Sequence, residues 1–187
     1  MADLDRIRAA RAVLAEETPL DFDCGLLCGH KCCTDFEPGK NLGVYLIPGE
    51  FALFDGTEAW ASWEFHSTEE YEFAPSWEQY GAIPFLKCTG LCAAERDKRP
   101  LECRTYPLVP YLREDGRLEV CYAPWALGVC PLTERYRLED LRPTFVEAVR
   151  KAWEILMADP DILDHLRWLS RQLKDWETLP RLNQEEA

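Results

Sequence analysis

Residues 24–33 read Cys24-Gly25-Leu26-Leu27-Cys28-Gly29-His30-Lys31-Cys32-Cys33, four thiols within ten positions. Glycines 25 and 29 let so short a segment curl tightly, and several sulfurs can then face one centre. A second group, Cys88, Cys92 and Cys103, follows with the spacing C-x3-C-x10-C, so seven of the nine cysteines fall into two clusters. Thiolates gathered this way suit a soft metal ion or an iron–sulfur cluster. A buried structural cysteine behaves as a small hydrophobe and gains little from such spacing. The expected fold is therefore organised around a cysteine-ligated metal core.

A chain of 187 residues can bury roughly 70 % of its unfolded surface without disulfide staples. Its formal charge of −13, from 21 Lys and Arg against 34 Asp and Glu, argues against nucleic acid or an anionic membrane as partner, since both are gripped by basic side chains. Met1 to Glu17 is charged and amphipathic, with no apolar export signal. No uncharged run approaches the ~20 residues that span a bilayer. A cytoplasmic location is expected, where thiols stay reduced and disulfides are the minor reading.

Outward from the clusters, Leu4, Ile7, Ala10 and Leu14 recur at helical spacing. They predict a helix from about Leu4 to Glu16, capped by Asp3 and stopped by Pro19. Gly43 to Ile47 reads as a strand and Phe51 to Phe54 as a helical turn. The stretch from Gly56 to Pro84 is aromatic and acidic; alternation over Ser67 to Phe73 suits an edge strand, and the aromatic belt from Trp60 to Tyr80 reads as core packing in preference to a pocket lining. Leu108 to Arg113 and Arg117 to Tyr122 flank Glu114-Asp115-Gly116, a hairpin signal that puts Cys121 on the second strand. Pro143 opens a helix carrying Phe145, Val149, Ala152, Trp153 and Leu156 on one face, with Leu138 and Leu141 in a preceding turn, and a second helix is predicted from about Pro160 to Trp176. The expectation is a single α+β domain over 1–182: terminal helices packed on a loop-rich metal core (about 24–131) with a short β-hairpin, a helical hairpin (about 138–176), and a polar tail at 183–187.

The candidate metal ligands are Cys24, Cys28, Cys32, Cys33, Cys88, Cys92, Cys103 and Cys130. Neighbours in sequence project differently, so one of Cys32 and Cys33 would serve a metal while the other bridges, packs or faces a second site. Cys130 precedes Pro131, as the last ligand does in ferredoxin-type runs, and reads equally as ligand or core. Cys121 reads as core. His30 is either a ligand or a solvated loop residue; His66 and His165 have no metal-like neighbours. Arg96, Lys98, Arg99 and Arg104 form the most positive stretch, which either stabilises thiolates or is simply solvated. No zinc-protease helix, nucleophile elbow, Walker loop or dinucleotide-binding glycine motif is present, and no two carboxylates stand out as an acid–base pair.

Together, the cluster ending in Cys32-Cys33, the stretch Leu46-Ile47-Pro48-Gly49-Glu50, Cys88 and Cys92, and the segment Arg99-Pro100-Leu101-Glu102-Cys103-Arg104-Thr105-Tyr106-Pro107 resemble the YkgJ-type cysteine-cluster family of zinc- or iron-chelating domains. The resemblance covers about Cys24 to Pro107, and R-P-x-x-C-R-x-[YF]-P is its most specific element. Members typically show C-x2-C-x2-CC, whereas both first gaps here are one residue longer. The family includes the flagellin lysine methylase, a distant relative associated with an iron–sulfur centre and S-adenosylmethionine; this chain has no recognisable S-adenosylmethionine motif. The resemblance implies metal ligation by Cys24, Cys28, Cys32 or Cys33, Cys88, Cys92 and Cys103.

Thiols beyond four, the vicinal pair and the nearby cations suit a polynuclear anionic cluster, so an iron–sulfur cluster of the 4Fe–4S type is expected first and zinc second. The first reading gives redox or protein-modification chemistry, methyl transfer to a partner protein among them. The second gives a non-enzymatic structural zinc module that meets another protein. A third, metal storage or delivery, calls for weaker, exchangeable binding.

Overall fold

The computed structural model describes residues 3–33, 43–88 and 98–182, with the backbone alone for Cys33 and residues 177–182. Cys92, Arg96 and the predicted tail at 183–187 lie outside the described residues.

Helix α1 (Leu4–Val13) begins where the sequence places it, because the Asp3 carboxylate accepts the Asp5 N–H at 3.0 Å. It ends short of Glu16: the Leu14 and Ala15 N–H groups reach back to the Arg11 and Ala12 carbonyls in a tighter turn. Ile7 and Ala10 are fully buried on its inner face, and α1 packs along helix α4 (Pro143–Leu156).

Strands β1 (Gly43–Tyr45), β2 (Ala61–Ser67) and β3 (Ala82–Cys88) form an antiparallel sheet in the order β1-β3-β2. The edge strand predicted at Ser67 to Phe73 is thus displaced towards the amino terminus. Pairing runs from Ala61 opposite Cys88 to Ser67 opposite Ala82; there Gly81, at φ +69°, turns the chain, and the Ser67 carbonyl accepts the Tyr71 N–H at 3.1 Å. Alternation alone did not locate that end, which the partner strand fixes.

Helix α2 (Leu101–Thr105) leads through a cis Tyr106–Pro107 peptide into the predicted hairpin, β4 (Leu108–Leu112) and β5 (Leu118–Tyr122), with Gly116 at φ +83° in its turn. After the short helix α3 (Leu132–Arg135) and a 3-10 turn at Leu138–Asp140, Pro143 opens α4 as expected. Helix α5 (Pro160–Leu182) runs beyond the expected Trp176.

The main core joins Ile7 of α1, Leu108 of β4, Phe145 and Trp153 of α4, and Leu166 of α5. Each such side chain contributes roughly 1.5–3 kcal/mol by leaving water. A smaller cluster of Leu46, Trp60 and Leu86 sits in the sheet, with Trp63, Phe51 and Cys88 against it. The aromatic belt divides: Trp60 and Trp77 are buried, whereas Phe65 is 58 % and Tyr71 44 % exposed. The chain is therefore mixed helix and strand, compatible with the α+β class. Among the described residues no helix is long and apolar enough to cross a membrane.

Candidate metal centre

The first cysteine segment is held by its own backbone. Cys24 opens a 3-10 turn (Cys24–Leu27) after Asp23, whose carboxylate accepts the Gly25 N–H at 2.9 Å. The Gly25 carbonyl then accepts the N–H groups of Cys28 at 3.3 Å and His30 at 3.0 Å, and lies 3.9 Å from the Cys28 Sγ. Gly29 and His30 follow at φ +64° and +59°, a left-handed pair that reverses the chain before the Lys31–Cys33 turn. Gly25 has a steric reason to be glycine, since a Cβ there would run into the His30 imidazole. The His30 imidazole is packed over the Gly25 backbone.

Cys130 arrives from far along the chain. The turn at Pro124–Ala126 and Gly128 at φ +74° fold the backbone so that the Cys130 N–H reaches the Ala126 carbonyl at 2.8 Å, and the Thr133 Oγ1 donates to the Cys130 carbonyl at 2.7 Å. This places the Cys130 thiol within electrostatic reach of Cys24 and Cys28. Burial first, then Asp23, Cys130 and Cys28, push the Cys24 thiol up to about 11, with Arg99 opposing. Burial, and to a lesser degree Cys28, also pushes Cys130 up, against backbone N–H groups at Leu132 and Thr133.

Two tyrosines border this set. The Tyr106 hydroxyl is pushed up by burial and then by Cys130, Cys32 and Cys28, so thiols of both segments act on it. Tyr122 is pushed up to about 12 by burial, followed by Cys130 and Asp140. Neighbouring thiols oppose one another's ionisation, and a cation bound among them would favour their thiolate forms.

The second cluster is placed differently. Cys88 ends β3 and packs with the smaller core cluster, while Cys103 rides on α2. Cys121 lies on β5 opposite Val109, half-buried. Among the described residues no three Cys, His, Asp or Glu side chains are disposed to hold a metal ion. In donor chemistry alone the thiols suit a soft metal, for thiolate is the ligand such metals prefer: Cys28, Cys32 and Cys130 are within electrostatic reach of the Tyr106 hydroxyl, and Cys24 of Cys28 and Cys130.

The sequence showed Glu50 only as the last residue of the Leu46–Glu50 stretch, not as a buried anchor. Glu50, wholly buried, accepts the Leu101 N–H at 2.7 Å and the Arg11 guanidinium at 3.3 Å, joining the Leu46–Glu50 stretch and α1 to the first turn of α2. Arg104 strengthens the same junction, its Nε donating to the Arg99 carbonyl at 2.9 Å and a terminal nitrogen to the Arg11 carbonyl at 3.4 Å. Burial raises the Glu50 carboxyl above its ordinary range, against Arg11 and the Leu101 N–H, and burial with Glu50 nearby lifts Glu102 to about 8. The signal was a lone acid in the otherwise apolar run from Leu46 to Leu53. His165 is also buried, stacked 4.2 Å from Trp77, and His66 stacks between Tyr71 and Phe85 and shares a 2.7 Å hydrogen bond with Tyr45.

No family model, curated protein or solved structure matches this chain.

Proposed function

We propose that this chain is a cytoplasmic, cysteine-ligated metal-binding protein of the YkgJ type, holding an iron–sulfur cluster that serves redox or protein-modification chemistry on a protein partner. The observation that carries the reading is the approach of Cys130 to Cys24 and Cys28 across the fold. Core packing needs no such convergence of thiols, whereas metal ligation does. Cys24, Cys28, Cys130 and one of Cys32 and Cys33 would hold the group, with Cys88, Cys92 and Cys103 as a second set. When bound, an iron–sulfur cluster supplies one-electron transfer. Tyr106 would set the polarity beside it, and the 3-10 turns at Cys24 and Lys31 would orient the sulfurs.

Zinc is the second reading. It is favoured by the number four: Cys24, Cys28, Cys32 and Cys130 are all that a closed structural zinc site requires.

Metal and acid-labile sulfide content of protein purified without oxygen, with its visible spectrum, tests both. Iron with matching sulfide and a brown colour supports the first reading. Stoichiometric zinc without sulfide replaces it with the second, and protein that retains neither metal overturns both.

A further inference from the structure

An open groove of about 460 Å³ runs between α1 and the start of α2. Among the described residues the groove is lined by Arg8, Arg11, Ala12, Ala15, Leu53, Lys98 and Arg104, four of them cationic and none acidic. In a chain of net charge −13 that concentration runs against composition. It is produced by the fold: α1 sets Arg8, Arg11 and Ala12 on one face at helical spacing, while the segment leading into α2 supplies Lys98 and α2 itself supplies Arg104. Ala12 and Ala15 keep the space between the long side chains open.

The two inner guanidiniums are held in place. Arg11 is fixed by Glu50 at 3.3 Å and lies 5.5 Å over the Phe54 ring; Arg104 is fixed by the carbonyls of Arg99 and Arg11. Asp5 meets Arg8 at 3.1 Å and Asp55 feels Lys98, so among the described residues these carboxylates flank the groove without lining it. A planar guanidinium fixed by other contacts loses little freedom when it takes a phosphate or carboxylate as well. The volume falls within the roughly 300–1,000 Å³ of small-molecule sites, too little for a macromolecular segment to be enclosed.

We propose that this groove is a binding site for a small soluble oxyanion that carries phosphate or clustered carboxylates, gripped by Arg8, Arg11, Lys98 and Arg104. It does not depend on which metal, if any, the thiols hold.

Titration calorimetry on the full chain at low ionic strength tests it, with inorganic phosphate in one arm and citrate in the other; the stronger arm identifies the anion class. Saturable one-site binding of either probe is expected, weakened at least tenfold in Arg8→Gln/Lys98→Gln and unchanged in Arg171→Gln, which lies in the distant helix α5. Arg8→Gln alone, at an exposed position, is expected to weaken binding several-fold while leaving the thermal midpoint in place. No saturable heat with either probe, or equal affinity in Arg8→Gln/Lys98→Gln and Arg171→Gln, overturns the proposal.

Discussion

The Glu50 carboxylate accepts the backbone N–H of Leu101 at 2.7 Å, so a wholly buried acid anchors the first residue of the helix that carries Cys103. The same oxygen meets Arg11 at 3.3 Å, which makes the junction of three separate chain segments an ion pair inside the protein. Such a pair is costly to break because each charge depends on the other for its solvation.

Glu50→Ala is therefore expected to destabilise the fold by roughly 3–5 kcal/mol, the usual cost of stranding a buried partner charge. Glu50→Gln keeps an acceptor for Leu101 and should lose less. Urea unfolding of both variants measures the difference; equal losses would assign the stabilisation to the charge alone.

Cys130→Ser is expected to lower metal content several-fold, as Cys28→Ser should, because the two thiols act on one another. Cys103→Ser should lose metal as well, whereas Cys121→Ser, on β5 opposite Val109, should retain it. Metal analysis of the four proteins decides, and full retention in Cys130→Ser would remove that residue from the ligand set.

Gly25→Ala should cost about 1–3 kcal/mol by overpacking, since the new methyl would meet the His30 ring. His30→Gly should stabilise the apoprotein by about 1 kcal/mol, by relieving a left-handed conformation in a residue with a side chain. In the double variant the Gly25→Ala penalty should largely vanish, which thermal unfolding of the full cycle would reveal. Metal content unchanged in His30→Gly would show that its imidazole is no ligand.

His165 gives a pH dependence with a definite sign. Burial, opposed by Asp164, lowers its pKa from 6.5 to about 4, so the folded protein holds the ring neutral. Its contribution is present above the unfolded value of 6.5 and is lost as pH falls towards 4, about 3 kcal/mol in all. His165→Phe keeps a ring against Trp77 and should flatten the fall in stability over that window, read from urea midpoints at successive pH values. An identical fall in both proteins would place the acid sensitivity elsewhere.

Local signals in the sequence were enough for several elements. Asp3 marked the start of α1, Glu114-Asp115-Gly116 the hairpin, and Pro143 the opening of α4, because caps, turns and first-turn prolines act on their immediate neighbours. Strand ends were less legible: β2 stops where β3 and Gly81 end the pairing, and alternation over Ser67 to Phe73 carried no trace of that partner.

Sequence by itself thus determined the mixed helix-and-strand class, the helical face of α4 and the cysteine clusters, all features written in periods and short spacings. Only the tertiary structure decided that Cys130 comes within electrostatic reach of Cys24 and Cys28, that Glu50 and Arg11 meet at Leu101, and that four cations line one groove of an acidic chain. Each of those depends on segments distant in sequence, and their approach is set by how helices and sheet bury one shared core, which no local pattern records.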